Sequence, residues 1–264
     1  MLLASSSFNT TASLNVAVDE WVANATSAEA AHGHISSWDV SALTSLRKVF
    51  EGKSTFNEPI GQWDVSRVTD LGYVLRGARS FDQPLDGWDV SRVTSLEWAF
   101  AGALLFNQPL ASWDVSRVVD ADWTFYAADA FDQPLDAWNV SSVRDLNHFL
   151  YAADLYNQPL GSWDVGAATS TRSMFQLAVA FDQDLNGWDV SGVTDLSSMF
   201  EGASAYDRPI DGWNMSSATT TDGIFDGATN FSTCSRARTH AALSQYPVWT
   251  TDWSAEECAP PPSA

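Results

Sequence analysis

Two columns of acidic and amide side chains are the first candidates for chemistry in this chain. Asp39, Asp64, Asp89, Asp114, Asp164 and Asp189 each follow a tryptophan at a fixed interval of 25 residues, with Asn139 and Asn214 filling the two gaps. A second column, Asn57, Asp82, Asn107, Asp132, Asn157, Asp182 and Asp207, keeps the same interval. Carboxylates one repeat apart repel, so something must offset them. Ca2+ suits such an oxygen-rich array, and carboxylate pairs carry glycoside hydrolysis. Uniformity argues against both. Every repeat holds the same pair, so none is singled out as a reaction centre, and no D-x-D-x-D-G calcium loop is present. A structural role fits better. The first column accepts backbone N–H bonds in turns, which Asn139 and Asn214 do nearly as well, and Arg67, Arg92 and Arg117 beside it compensate charge. The second is read as an internal ladder of side-chain hydrogen bonds.

The other reactive residues are sparse. Four histidines occur, His32, His34, His148 and His240. Two of them in His32-Gly33-His34 lack a third ligand nearby and make a poor metal site. No G-x-S-x-G elbow or phosphate loop is present. No catalytic residue, cofactor or metal site is assigned, and the chain is not expected to be an enzyme.

What must position these columns is a repeat. Trp38, Trp63, Trp88, Trp113, Trp138, Trp163, Trp188 and Trp213 stand 25 residues apart without an insertion or deletion. A fixed period of this length means one unit stacked on copies of itself. Further columns keep the register: aromatic from Phe56 to Phe231, aliphatic from Ile35 to Ile210, and a second aromatic or Leu column from Phe50 to Phe225. Val93, Leu96 and Phe100 show i, i+3, i+7 spacing, which predicts a short helix closed by Gly102. The segment Phe106–Trp113 carries Pro109 and predicts an extended stretch with a brief strand around Gln108–Leu110, pairing in parallel between repeats. The fold expected is an α/β solenoid of about eight coils, each with a short strand and a short helix. The divisions expected are a helical N-terminal cap (1–33, with one amphipathic helix in 11–31), the repeats (34–232), and a C-terminal cap and tail (233–264) that includes Pro260–Pro262.

One set of side chains breaks the uniformity. The position two residues after the central Leu column reads Lys48, Tyr73, Trp98, Trp123, His148, Ser173, Ser198, Gly223. Three residues on, it reads Glu51, Arg76, Ala101, Tyr126, Tyr151, Gln176, Glu201, Asp226. On a helix these positions lie more than about 100° from the core face. An outward patch of Tyr73, Trp98, Trp123, Tyr126, His148 and Tyr151 is therefore expected. Exposed aromatic patches usually contact something, and Trp and Tyr anchor interfaces or stack on sugar rings. The competing reading is that the rings pack on each other or fold inward.

Formal net charge is −20. Such a surface disfavours nucleic acid and anionic lipid, which need Lys/Arg patches. No apolar run of about 20 residues exists, so no transmembrane span is expected. Met1–Leu3 is too short for a secretory core. Sequons stand at Asn9, Asn24, Asn139, Asn214 and Asn230.

The phrases GHISSWDVSALTSLRKVF, FNEPIGQWDVSRVTDL and FDQDLNGWDVSGVTDLSSMFEGAS resemble the DUF285 group of BspA-like leucine-rich-repeat surface proteins. The resemblance covers residues 14–231. It implies a leucine-rich-repeat-like α/β solenoid in a surface or secreted protein, some relatives being adhesins, and brings no catalytic motif. Asp184 and Gly166 depart from the usual Pro and Ser, and the repeats near 121 and 171 lose the central Leu. In that context Cys234 and Cys258 are expected to form a disulfide stapling the C-terminal cap, the alternative being two free buried thiols. The location expected is extracellular or the cell surface, with an organelle lumen as the alternative. The function expected is a non-catalytic recognition or adhesion module binding a protein or glycan. The alternative is a structural subunit docked permanently in a larger assembly.

Overall fold

Each repeat is built from overlapping turns, not from a strand and a helix. The computed structural model describes residues 6–258, so Pro260–Pro262 and Met1–Leu3 lie outside the described residues. In the segment where a helix was expected, the backbone donors alternate in direction. Ala99, Ala101 and Ala103 donate to the carbonyls three residues back, Leu96, Trp98 and Phe100, at 2.9, 3.2 and 3.0 Å. Leu96, Trp98, Phe100 and Gly102 donate to the next repeat instead, reaching Asp120, Asp122, Thr124 and Tyr126 at 2.9, 2.9, 2.9 and 2.6 Å. Trp98 and Gly102 hold left-handed backbone, φ 56° and 68°, which no α-helix accommodates. The segment is a chain of three-residue hydrogen-bonded turns stitched to its neighbours.

This overturns the expected α/β leucine-rich-repeat-like coil of strand plus helix. The i, i+3, i+7 spacing of Val93, Leu96 and Phe100 buries those residues through turns, because half of the amide donors are spent on the adjacent repeat. The strand around Gln108–Leu110 is absent as well, where Pro109 has no N–H to donate. Parallel pairing occurs as single bridges elsewhere, in the series Ser45, Asp70, Ser95, Asp120, Asp145, Ser170, Asp195 and Thr220.

The core runs through the stack as columns of rings. Phe81, Phe106 and Phe131 stack at 6.0 Å centroid spacing, and Trp88, Trp113 and Trp138 at 6.3 Å. Each repeat tryptophan is buried, and from Trp63 onward its indole N–H donates across the joint to the aliphatic column before it, while Trp38 donates to Gly33 O. Trp88 bonds Ile60 O at 3.0 Å, Trp113 bonds Leu85 O at 2.9 Å and Trp138 bonds Leu110 O at 2.9 Å. The polar ladder runs alongside. Asn107 N donates to Asp82 Oδ1, and Asp132 N to Asn107 Oδ1, both at 3.0 Å. Gln108 and Gln133 add side-chain donors to the same oxygens at 2.9 and 3.0 Å.

Both ends are closed by helices. At the N-terminus the single helix expected in 11–31 is two, α1 (Thr11–Ala23) and α2 (Ala25–His32). Asn24 ends the first and caps the second, its side chain accepting from Ser27 N, a role for which Asn is well suited. Leu14, Ala17, Val18 and Trp21 are the buried face of α1. At the other end α3 (Thr233–Leu243) follows the last repeat, and Trp253 packs on Phe225 and Phe231 at 5.7 and 5.4 Å. Cys234 and Cys258 are disulfide-bonded, 24 residues apart in sequence. A loop of that size contributes about 3 kcal/mol in the chain-entropy account. Cys234→Ser is expected to lower the unfolding free energy by up to that amount, measured by urea titration. An unchanged midpoint would show that Trp249 and Trp253 hold the cap without the bond.

Candidate functional site

The six aromatic positions singled out in the sequence come together on one face. Tyr73, Trp98, Trp123 and His148 form a continuous stack, with centroid spacings of 5.9, 4.5 and 3.7 Å and interplanar angles of 13° or less. Tyr126 and Tyr151 lie beside it, 5.0 Å apart. Tyr126 tilts 59° from Trp123 at 4.8 Å. All six are half-buried. They reach this face by turn geometry rather than by helical angle, since the same turn recurs in every repeat. The rings also pack on each other. The faces of Trp98 and Trp123 cover one another, so the stack presents ring edges, and stacking of a sugar on those two faces is closed off.

The stacked column sits on strained backbone. Tyr73, Trp98, Trp123 and His148 have φ of 59°, 56°, 56° and 54°. Bulky residues in this region are outliers, at a cost of about 1–2 kcal/mol each. Lys48, Ser173 and Ser198 hold the same point at φ 66°, 54° and 55°, and the last repeat places Gly223 there at φ 67°, so the left-handed turn belongs to the repeat and not to the rings.

Charged groups frame the N-terminal half of the patch. The Arg47 and Arg76 guanidiniums and the Lys48 ammonium lie 4.7, 5.5 and 4.9 Å from the Tyr73 centroid, and Arg76 lies 4.9 Å from that of Trp98, within cation–π range. Arg47 bonds Glu97 at 2.7 Å and Tyr73 Oη donates to the same carboxylate at 2.8 Å. Burial pushes the Glu97 pKa up, and these two hydrogen bonds more than offset it, leaving the carboxyl below its ordinary value. Burial raises Tyr73, and raises Tyr151.

Beneath Trp123 and His148 the carboxyls of Asp120, Asp122 and Asp145 are all raised, first by burial. His148 Nδ1 lies 3.7 Å from Asp122 Oδ1, too far for a hydrogen bond. A carboxyl whose pKa rises on folding binds its proton more tightly in the folded chain. It therefore opposes folding when ionised, and that penalty fades as pH falls from the folded pKa to the unfolded one. Asp120→Asn keeps the oxygen that accepts from Asp122 N at 3.2 Å and removes the charge. It is expected to raise the urea midpoint near pH 7 and to leave it unchanged near pH 3. A gain of equal size at both pH values would trace the effect to packing.

A groove of about 450 Å3 runs beside the patch. Gly52, Gly77, Gly102 and Ala127 line it with small residues, alongside Trp98, Tyr126, Arg76, Arg79, Leu104 and Glu51. Sequence reasoning missed it. Its one signal is that Arg76 and Arg79 are the only cations in their two columns.

The acidic columns are structural in geometry. Asp39, Asp64, Asp89, Asp114, Asp164 and Asp189 each accept the N–H two residues on, at 3.0–3.1 Å, as do Asn139 and Asn214 at 3.2 and 3.1 Å. Hydrogen bonds from Ser41, Ser91, Ser116 and Ser191 lower the pKa of Asp39, Asp89, Asp114 and Asp189. His32 bonds Glu20 at 2.8 Å, and His34 bonds Ser36 at 2.7 Å. Among the described residues no three His, Cys, Asp or Glu side chains converge as a metal-binding group. No helix among them is long and apolar enough to cross a membrane.

No curated protein and no solved structure matches this chain. A family described as "Mycoplasma protein of unknown function, DUF285" matches residues 17–138 and 120–237. With its repeats and both flanks of the aromatic face inside those bounds, the chain belongs to the DUF285 family.

Proposed function

We propose that the chain is a non-catalytic recognition module of the BspA-like surface-protein kind, binding a protein or glycan through Tyr73, Trp98, Trp123, Tyr126, His148 and Tyr151. The observation that carries this reading is the stacked column. Every repeat holds this position in left-handed backbone, Lys48, Ser173, Ser198 and Gly223 included, but only four successive repeats put rings there, and those rings stack as one array on an outer face, a feature that usually contacts something. The disulfide supports an oxidising, extracellular setting. Permanent docking in a larger assembly calls for a wider apolar surface than six half-buried rings.

The test is binding on protein and glycan arrays by the wild-type chain and by the Trp98→Ala/Trp123→Ala variant. Loss of the wild-type signals in a variant that still unfolds cooperatively is expected, and signals that survive in it would sink the assignment. Light scattering on protein from its native source is expected to show a free monomer. Elution in a large complex would favour the structural subunit.

A further inference from the structure

The groove beside the rings has a composition that selects a ligand class. Its side-chain polar groups are almost all donors. Arg76 and Arg79 contribute guanidiniums, Trp98 an indole N–H and Tyr126 a hydroxyl. Among the described residues neither the Trp98 nitrogen nor the Tyr126 hydroxyl has a protein partner, and Arg79 has no carboxylate within ion-pair range; every ion pair and side-chain bond near them involves other groups. The one carboxylate, Glu51, is already held by Arg76 at 2.7 Å and by Lys48 at 3.5 Å.

The glycine N–H groups along the groove are already used. Gly52, Gly77 and Gly102 spend their N–H groups on the next repeat, reaching Arg76, Ala101 and Tyr126 carbonyls at 2.7, 2.7 and 2.6 Å. Strand addition, the usual way to hold an extended peptide, needs unpaired edge donors and acceptors. What remains is a cleft that offers donors and positive charge, with the apolar walls of Leu104 and Tyr126. Its complement is rich in acceptors, carries carboxylates and has an apolar ring face.

We infer that this groove binds an acidic saccharide of the uronate type, its carboxylate on Arg79 and Arg76 and its ring against Tyr126. The inference rests on the proposed recognition role and names its ligand class. Guanidinium and carboxylate match as a planar fork. Arg76 is held over Trp98 by its cation–π contact and by Glu51, so Arg79 supplies the uncommitted guanidinium and Arg76 its remaining donors. The net charge of −20 opposes any polyanion at long range, but at physiological salt that repulsion is screened beyond about 8 Å, so the local pair decides.

The experiment is calorimetric titration of the full chain with a galacturonic acid oligosaccharide. The comparisons are the same oligosaccharide with its carboxylates reduced to alcohols, and poly-glutamate of similar charge. The wild type is expected to bind the acidic sugar only. Arg79→Ala is expected to weaken it about tenfold, the scale of one charged hydrogen-bonded contact, with an unchanged thermal midpoint. No binding of the acidic sugar, equal binding of the reduced sugar, equal binding of poly-glutamate, or indifference to Arg79→Ala would each overturn the inference. The recognition role is judged separately: a different array partner lost in the Trp98→Ala/Trp123→Ala variant leaves that role standing while this inference falls.

Discussion

Trp113→Ala is expected to lower the unfolding free energy by about 4–8 kcal/mol. A fully buried Trp truncated to Ala costs about 3–5 kcal/mol from lost transfer energy and the cavity left behind. Here a second loss adds to it. Leu85 O accepts the Trp113 indole N–H inside the core, and an orphaned buried acceptor costs about 1–3 kcal/mol. The two neighbouring indoles at 6.3 Å also lose their stacking partner. Because each repeat buries its face only against its neighbours, the damage falls on two joints at once, and the stack is weakened at its middle. Trp113→Phe narrows the comparison, keeping a six-membered ring in the stack and removing the donor with the five-membered ring, with an expected cost of about 2–3 kcal/mol. Urea unfolding of both variants checks this. Equal costs would show that the hydrogen bond, not the volume, holds the joint.

The same residue type on the outer face should behave in the opposite way. Trp98→Asn with Trp123→Asn is expected to reduce partner binding by about a hundredfold or more, since central Trp anchors are worth about 2 kcal/mol or more each. The stability cost per site is expected to stay below about 2 kcal/mol. Each ring is only half-buried, and Asn tolerates the left-handed backbone at φ 56°, so relief of strain offsets part of the lost packing. The pair of measurements is binding by calorimetry and stability by thermal melt. A variant that loses several kcal/mol of stability would show that the rings serve the fold, and would remove the argument from the outward array.

The exact recurrence of residue types made much of the fold legible. A buried ring that returns at the same interval must meet its copies, so the columns from Phe56 to Phe231 and from Trp38 to Trp213 were readable as a stack. The ladder of Asn107 and its kin was readable because Asn and Asp alternate freely there, as interchangeable acceptors do. The helix and strand were misread for a definite reason. The partner of the Trp98 amide is Asp122 O, in the next repeat, and no local window contains it. Spacing of i, i+3, i+7 is shared by a helix and by a run of turns with a left-handed residue at Trp98 and Gly102. The aromatic face was visible because its column changes identity from repeat to repeat. The groove was not, since Gly52, Gly77 and Gly102 mark it by lacking side chains.

The joints have a consequence for how such a chain can change. Trp88 to Ile60, Trp113 to Leu85 and Trp138 to Leu110 are the same joint made three times, each end supplied by a different copy of one unit. A splice that removes or inserts one whole unit rejoins compatible ends, so length is free to vary without redesigning the interior. A splice one residue longer or shorter turns every later column off its partner. The chain is thus tolerant to recombination in one step size and brittle to every other. The outer face can be edited unit by unit, with new side chains laid on a frame that does not notice them.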